Sequence, residues 1–249
     1  MASLESIIES SRRIVFFGGA GVSTESGIPD FRSAAGLYTT ATGPHPPEYM
    51  LSDECLWSEP EAFWDFHRRH LIHPGARPNP AHRALAALER AGVLSAVVTQ
   101  NIDGLHQIAG SRVVHELHGS VHRNHCVLCE RAVPLAEVLD AVGVPRCPAC
   151  GGMVRPDVVL YGEALDPEVV DAAVEAMATA DTLIVGGTSL SVHPAAGFVL
   201  RYRGERLVLI NQTPTPYDRR AVLLVREPIG VALAPWDPGP EESTPATGN

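Results

Sequence analysis

The sequence predicts an α/β protein: a parallel sheet covered on both faces by helices, with a small cysteine module set into it. Three observations carry this. Short, continuous apolar runs at 14–17, 94–99, 183–185 and 207–210 lack the alternation of a half-exposed strand, and helical stretches separate them. A glycine-rich turn, Gly18-Gly19-Ala20-Gly21, follows the first run directly. Four of the five cysteines fall in two C-x-x-C pairs.

Composition narrows the function classes. The 249 residues carry a formal charge of −10 and are 45% hydrophobic, enough for a real core without disulfides. No apolar run reaches the roughly 18 residues of a membrane span. Net acidity argues against non-specific nucleic-acid binding, which needs a basic footprint. The N-terminus shows no basic n-region or long apolar stretch, so a cytoplasmic protein is expected. All 19 cationic side chains are Arg.

In chain order, a helix is expected at 4–11 and a buried strand at 14–17, running into the glycine turn. Residues 30–60 are rich in Pro, Gly, Ser and Thr and read as a long loop with short helices. Helices follow at 60–72 and 80–91, the latter stopped by Gly92. Strands are expected at 94–99, 113–117 and 158–161. Asp166 as N-cap and Pro167 at the first position open a helix at 167–180. Strands at 183–185 and 207–210 complete the sheet, and 235–249 reads as a disordered tail.

The spacing Cys126-x2-Cys129-x17-Cys147-x2-Cys150 indicates one zinc ion. Two-residue gaps turn both thiolates of a pair towards one metal, and two such knuckles close a tetrahedron. Four thiolates leave no open position, so the site reads as structural. His122 and His125 stand nearby as alternative ligands, and Cys55 lies alone.

Gly19-Ala20-Gly21-Val22-Ser23-Thr24 resembles the opening of a dinucleotide fingerprint, with Thr24 where a third glycine would stand. Glycines let the backbone approach a pyrophosphate, and a following helix N-terminus would supply N–H donors. The ends of three further strands, Thr99-Gln100-Asn101, Gly187-Thr188-Ser189 and Asn211-Gln212, place small or hydrogen-bonding residues where open α/β sheets bind ligands. Together they suggest one dinucleotide across several strand ends. Phe31 and Arg32 beside this loop would supply a ring wall and a charge, or else be core and solvated rim.

At this point several motifs stand in one order: GAGVSTESGIPDFRS (19–33), TQNIDGLH (99–106), ELHGS (116–120), the paired C-x-x-C, GTSL (187–190) and LINQTPTPYD (209–218). The chain resembles the sirtuins, NAD-dependent protein deacylases, over residues 8–232, and the compact prokaryotic type most. The resemblance implies a Rossmann-like parallel-sheet lobe (1–34, 76–118 and 157–234) and a small lobe made of a helical part (35–75) and a zinc ribbon (119–156). It implies NAD as co-substrate, one structural Zn2+, and acyl-lysine proteins or peptides as partners of a monomer. In such enzymes the acyl oxygen attacks C1′ of the nicotinamide ribose, nicotinamide leaves, and the acyl group ends on ADP-ribose.

Carried over by motif, His118 would be the general base, with Asn101 and Asp103 positioning NAD and Ile102 walling the nicotinamide pocket. Gly19, Ala20, Gly21, Thr24, Phe31, Arg32 and Gln100 would contact NAD, and Thr188, Ser189, Asn211 and Ile229 its adenosine half. Residues 158–163 resemble the strand that pairs with a substrate peptide, giving Val159, Tyr161, Gly162 and Glu163 as candidate contacts. Succinyl-selective sirtuins carry Tyr-x-x-Arg on the 60–72 helix; Trp64 and His67 stand there here, which favours acetyl or another neutral acyl group. Two alternatives share these residues: mono-ADP-ribosyl transfer or NAD hydrolysis, and an NAD-sensing zinc-ribbon module without catalysis.

Overall fold

The structure, a computed structural model, describes residues 3–43, 45–190 and 195–240. Among the described residues eight strands form: β1 (Ile14–Gly18), β2 (Leu94–Thr99), β3 (Val114–Glu116), β4 (Gly119–Cys126), β5 (Val154–Val158), β6 (Thr182–Gly186), β7 (Arg206–Ile210) and β8 (Leu223–Val225). Six of them build one sheet in the order β3-β2-β1-β6-β7-β8, parallel at every junction. Counted without β4 and β5, this is the doubly wound order 3-2-1-4-5-6. The order reverses between β1 and β6, which opens a crevice at their carboxyl ends. β4 and β5 pair antiparallel as a separate two-stranded sheet.

Strand alternation divides the core cleanly. Ile14, Phe16, Val97, Ile184 and Val208 face one way, onto helices Leu4–Ser10, Pro80–Arg90 and Ile229–Leu233. Val15, Phe17, Val98, Leu183 and Leu209 face the other, onto helix Pro167–Thr179. Successive side chains of a strand point to opposite faces, so a strand covered on both sides is apolar throughout. That is why the buried runs were legible.

A third core joins helices Asp53–Ser58 and Pro60–His70 to the cysteine module through Leu56, Phe63, Trp64, Val121, Val138 and Val154. Several helices start on a side-chain cap. Asp166 accepts from the N–H groups of Glu168 and Val169. Asn79 accepts from Ala81 N–H at 2.9 Å and also donates to the Val22 carbonyl at 2.7 Å, tying the start of helix Pro80–Arg90 to the glycine turn.

Three expectations change. The strand expected at 158–161 is β5, ending at Val158; beyond it only Tyr161 makes a bridge, to Ser52. Pairing with β4 decides this, and Val154, Pro156 and Val158 alternate inward accordingly. No α-helix follows the glycine turn. Two 3-10 turns, Ala20–Val22 and Thr24–Ser26, do so, and the Thr24 hydroxyl takes the Gly21 carbonyl at 3.0 Å. The tail does not begin at 235: Trp236 packs on the first core and Asp237 pairs bidentately with Arg83 at 2.8 and 2.7 Å. Residues 241–249 lie outside the described residues.

Candidate active site

The crevice is built by backbone contact between two glycine turns. Gly21 N–H donates to the Gly187 carbonyl at 2.8 Å. A Cβ on Gly21 would fall 2.8 Å from the Gly187 α-carbon, and one on Gly187 (φ 60°) would fall 2.4 Å from the Val22 nitrogen. Neither position accepts a side chain, so the loops after β1 and β6 meet at the switch point.

Gln100, just past β2, crosses this crevice. Its N–H holds the Gly18 carbonyl at 3.0 Å and its side-chain amide donates to the Thr188 hydroxyl at 3.2 Å. Its own carbonyl takes the Nδ1 proton of His118 at 2.9 Å. A carbonyl only accepts, so Nδ1 carries the proton and Nε2 keeps its lone pair. Burial pushes the His118 pKa below the ordinary imidazole range, against the Gln100 carbonyl, which favours the charged form. His118 is therefore a neutral ring with a basic nitrogen, a proton acceptor near neutral pH.

A second network lies beside it. Ser23 donates to the Asp103 carboxylate at 2.6 Å and receives the Asn101 side-chain amide at 3.1 Å. Asp103 also accepts from Leu105 N–H at 2.9 Å. Burial raises the Asp103 pKa, opposed by the Ser23 hydroxyl and the Leu105 N–H. The Ile102 carbonyl is held by Val121 N–H at 3.0 Å, so the segment carrying Asn101, Ile102 and Asp103 is pinned between both sheets.

These bonds bring Gly19, Gly21, Gln100, Asn101, Asp103, His118 and Thr188 together, with Ala20, Ile102 and exposed Ser189 on the same turns. Thr24 faces back onto Gly21. Phe31 and Arg32 lie on a separate hook, where both touch the Tyr38 ring. Val159 N–H bonds the His118 carbonyl at 3.0 Å, which sets the 159–163 segment against the site. Glu163 turns inward: its carboxylate takes Arg155 at 2.7 and 3.0 Å and Leu160 N–H at 2.9 Å.

Others stand apart. The Asn211 side chain donates to Thr213 at 2.8 Å. Ile229 is buried under the sheet end, where its Cδ1 would lie 2.4 Å from a Cβ on Gly186. Trp64 and His67 are fully buried in the third core, in edge contact at 5.3 Å. Sequence reasoning missed Ser23, which joins Asn101 to Asp103, and Arg155, which fixes Glu163. Ser23 carries no local signal, since it and Asp103 are 80 residues apart, whereas Arg155 and Glu163 are only eight apart and meet because the chain turns back after β5.

At the cysteine module, Sγ atoms stand 3.4 Å apart for Cys126–Cys150 and for Cys129–Cys150, and 3.7 Å apart for Cys129–Cys147. All four lie within 4.8 Å of one another. A tetrahedral zinc with bonds of about 2.3 Å has edges of about 3.8 Å, so the four thiolates fit that ion. Neither His122 nor His125 joins them: one bonds the Asp103 carbonyl at 2.9 Å, the other pairs with Asp157.

A doubly wound sheet with a glycine-lined crevice at its switch point, a neutral histidine at the crevice and a four-thiolate zinc module defines a nucleotide-dependent enzyme scaffold with a structural metal. The chain belongs to the Sir2 family, whose profile matches residues 19–194. A protein from Cutibacterium acnes named NAD-dependent protein deacetylase is 62% identical over 228 residues, 91% of this chain and 93% of that one. Another of the same name, from Clostridium perfringens, is 54% identical over 232 residues, 92% of this chain and 95% of that one. A Sir2 variant solved with a deacetylated p53 peptide and 3′-O-acetyl ADP-ribose superposes with a TM-score of 0.83 at 36% identity, covering 93% of this chain and 96% of that one. A Sir2 homolog–NAD complex gives 0.82 at 37% identity, covering 92% and 89%.

Proposed function

We propose that this protein removes acetyl groups from protein lysines at the expense of NAD, giving nicotinamide and O-acetyl-ADP-ribose. The observation that carries the reading is the His118–Gln100 bond, which leaves a basic Nε2 on a neutral ring beside the Asn101–Ser23–Asp103 network. The relatives named as NAD-dependent protein deacetylases support it.

The parts divide as follows. NAD, when bound, supplies the ribosyl carbon that accepts the acyl oxygen. The Ala20 N–H, the one amide of residues 19–23 without a backbone acceptor among the described residues, with Gln100 and Thr188, would hold its phosphates and ribose. Asn101 and Asp103 orient the nicotinamide end against Ile102. His118 Nε2 takes the proton from a ribose hydroxyl, and its charge is dispersed through Nδ1 to the Gln100 carbonyl. Phe31 and Arg32, held on the hook against the Tyr38 ring, would cover the cofactor.

The peptide adds as a strand at 159–163. Among the described residues the Val159 carbonyl and Gly162 N–H have no backbone partner, so they are open to an incoming chain. Recognition through main-chain groups makes sequence specificity loose. The acyl group is uncharged: Trp64 presents no cation, burial pushes His67 down to about 3, and Arg68 is turned to the Val138 carbonyl at 3.1 Å. A fixed charge for a succinyl carboxylate is thus missing among these residues.

The sheet and its crevice form the cofactor lobe; the third core, with helical part and zinc ribbon, forms the small lobe. The zinc sets the ribbon's shape and does no chemistry. No described helix is long and apolar enough to cross a membrane. The same reading has the protein act in the cytoplasm, as a monomer, on acyl-lysine proteins and without nucleic acid.

The test is incubation with NAD and an acetyl-lysine peptide, followed by mass spectrometry, with His118→Ala as control. Loss of one acetyl group matched by O-acetyl-ADP-ribose, absent in the control, is the expected result. Nicotinamide release with an unchanged peptide would replace this reading with ADP-ribosyl transfer or NAD hydrolysis. A succinyl peptide processed faster than its acetyl counterpart would overturn the acyl preference.

A further inference from the structure

Residues Asp30 to Ala41 form a hook that bonds almost entirely to itself. The Asp30 side chain accepts from the N–H groups of Arg32 and Ser33 at 3.0 and 2.7 Å. Leu37 N–H returns to the Asp30 carbonyl at 2.7 Å and Tyr38 N–H to the Phe31 carbonyl at 2.9 Å. The Tyr38 ring meets the Phe31 ring edge-on at 5.7 Å, and the Arg32 guanidinium lies over it at 5.4 Å. Phe31, Leu37 and Tyr38 also pack on the third core. Among the described residues, one hydrogen bond leaves the hook: Tyr38 hydroxyl to Tyr161 hydroxyl, 2.5 Å.

Tyr161 is anchored differently. Its N–H donates to the Leu51 carbonyl at 2.9 Å and its carbonyl accepts from Asp53 N–H at 3.0 Å. Gly162 beside it, at φ 99°, would place a Cβ 2.4 Å from the Asp53 carboxylate, so the turn seats tightly on helix Asp53–Ser58. The same turn carries the open Val159 carbonyl and Gly162 N–H. The hydroxyl pair thus spans the two ligand segments of the functional reading, one holding Phe31 and Arg32, the other the strand edge.

We propose that Tyr38 and Tyr161 are a positioning pair that couples cofactor binding to peptide binding, a proposal that rests on the deacetylase reading. Two ligands that order the two ends of one contact bind cooperatively. A ligand that settles one segment settles the other through the bond, and so lowers the entropy cost that the second ligand meets. A tyrosine hydroxyl donates and accepts, so the bond holds whichever segment a ligand settles first. Neither hydroxyl needs to touch a reacting atom for this.

The experiment measures the dissociation constant of a fluorescent acetyl-lysine peptide by polarisation, without and with saturating ADP-ribose, for the zinc-loaded protein, Tyr38→Phe, Tyr161→Phe and the double variant. The wild type should bind peptide about fivefold tighter with ADP-ribose present, the size of one hydrogen bond. Each single variant should bring that ratio close to one, and the double variant should lower it no further. A purely structural role would weaken stability or both affinities and leave the ratio intact. That outcome, or a wild-type ratio of one in a protein that deacetylates, overturns the proposal while the functional reading stands. A wild type that deacetylates no acetyl peptide and shows no ratio overturns both.

Discussion

Lowering the pH should destabilise this protein through histidines that its fold cannot readily protonate. His67 is buried, stacked on Phe63 at 5.4 Å, and neither ring nitrogen has a partner among the described residues. His106 is buried between Phe16 at 6.2 Å and His82 at 4.7 Å, also without a ring-nitrogen partner there. Burial, helped by the Arg68 charge, pushes His67 down to about 3, and burial pushes His106 down to about 4. The folded values are depressed, so between them and the unfolded value the unfolded chain binds more protons. Stability is then full above about pH 7.5 and is lost as pH falls through 6.5 towards the folded values. At pH 5 the gap to the unfolded value is about 1.5 units, or about 2 kcal/mol for each ring and about 4 kcal/mol for both. Domains of this kind hold only about 5–15 kcal/mol in total.

The assay is urea unfolding of the zinc-loaded protein at pH 7.5 and pH 5, for the wild type, His67→Leu and His106→Leu. Zinc thiolates also take up protons as pH falls, which affects every variant equally. The informative quantity is therefore the difference in pH-dependent loss between variant and wild type. Each leucine variant should lose about 2 kcal/mol less than the wild type over this range. A variant that loses as much as the wild type would refute the argument, because its histidine would then titrate as in the unfolded chain.

Three further outcomes follow from the site. His118→Ala should cut deacetylation by about 10²–10⁴-fold, and the acid limb of the wild-type kcat/KM profile should lie below pH 6.5, since burial lowers that ring's pKa. A limb above 6.5 would contradict the neutral-base assignment. Ser23→Ala leaves the Asn101 amide and the Asp103 carboxylate each one partner short, and should cost about 1–3 kcal/mol in kcat/KM for NAD while binding of a peptide alone is retained. Cys129→Ser should reduce the zinc content from one ion per chain to substoichiometric levels, read by atomic absorption. The third core should loosen with it, since Cys126 and Cys147 are part of that core.

Much of this protein was legible as local pattern. Strands β1, β2, β6 and β7 stand within a residue or two of their expected places, because burial on both faces demands an unbroken apolar run. The four-thiolate module was legible for the same kind of reason: its geometry is set within each two-residue gap. Motif order placed His118, Asn101 and Asp103. Where local pattern was weak, expectation failed. β8 is a three-residue edge strand with Leu224 exposed, and the helix Ile229–Leu233 has five residues, so neither gives a periodic signal. The apolar run at 158–161 looked more strand-like than Val154–Val158, which contains Pro156, yet pairing with β4 chose the latter.

What the chain determined alone was the class of fold and the metal module, both properties of short windows in which burial periodicity or ligand spacing acts. The protonation state of His118, the Ser23 link between Asn101 and Asp103, and the Tyr38–Tyr161 contact were decided only in three dimensions. These pairs lie 18, 80 and 123 residues apart, and nothing in either partner's neighbourhood names the other. The first two meet because the sheet sets the carboxyl ends of β1, β2 and β3 side by side, and the third because the turn carrying Tyr161 docks on residues 51–53. Hydrogen bonding is short-ranged and directional, so it is assigned only after the long-range order of the strands has fixed which groups are within reach.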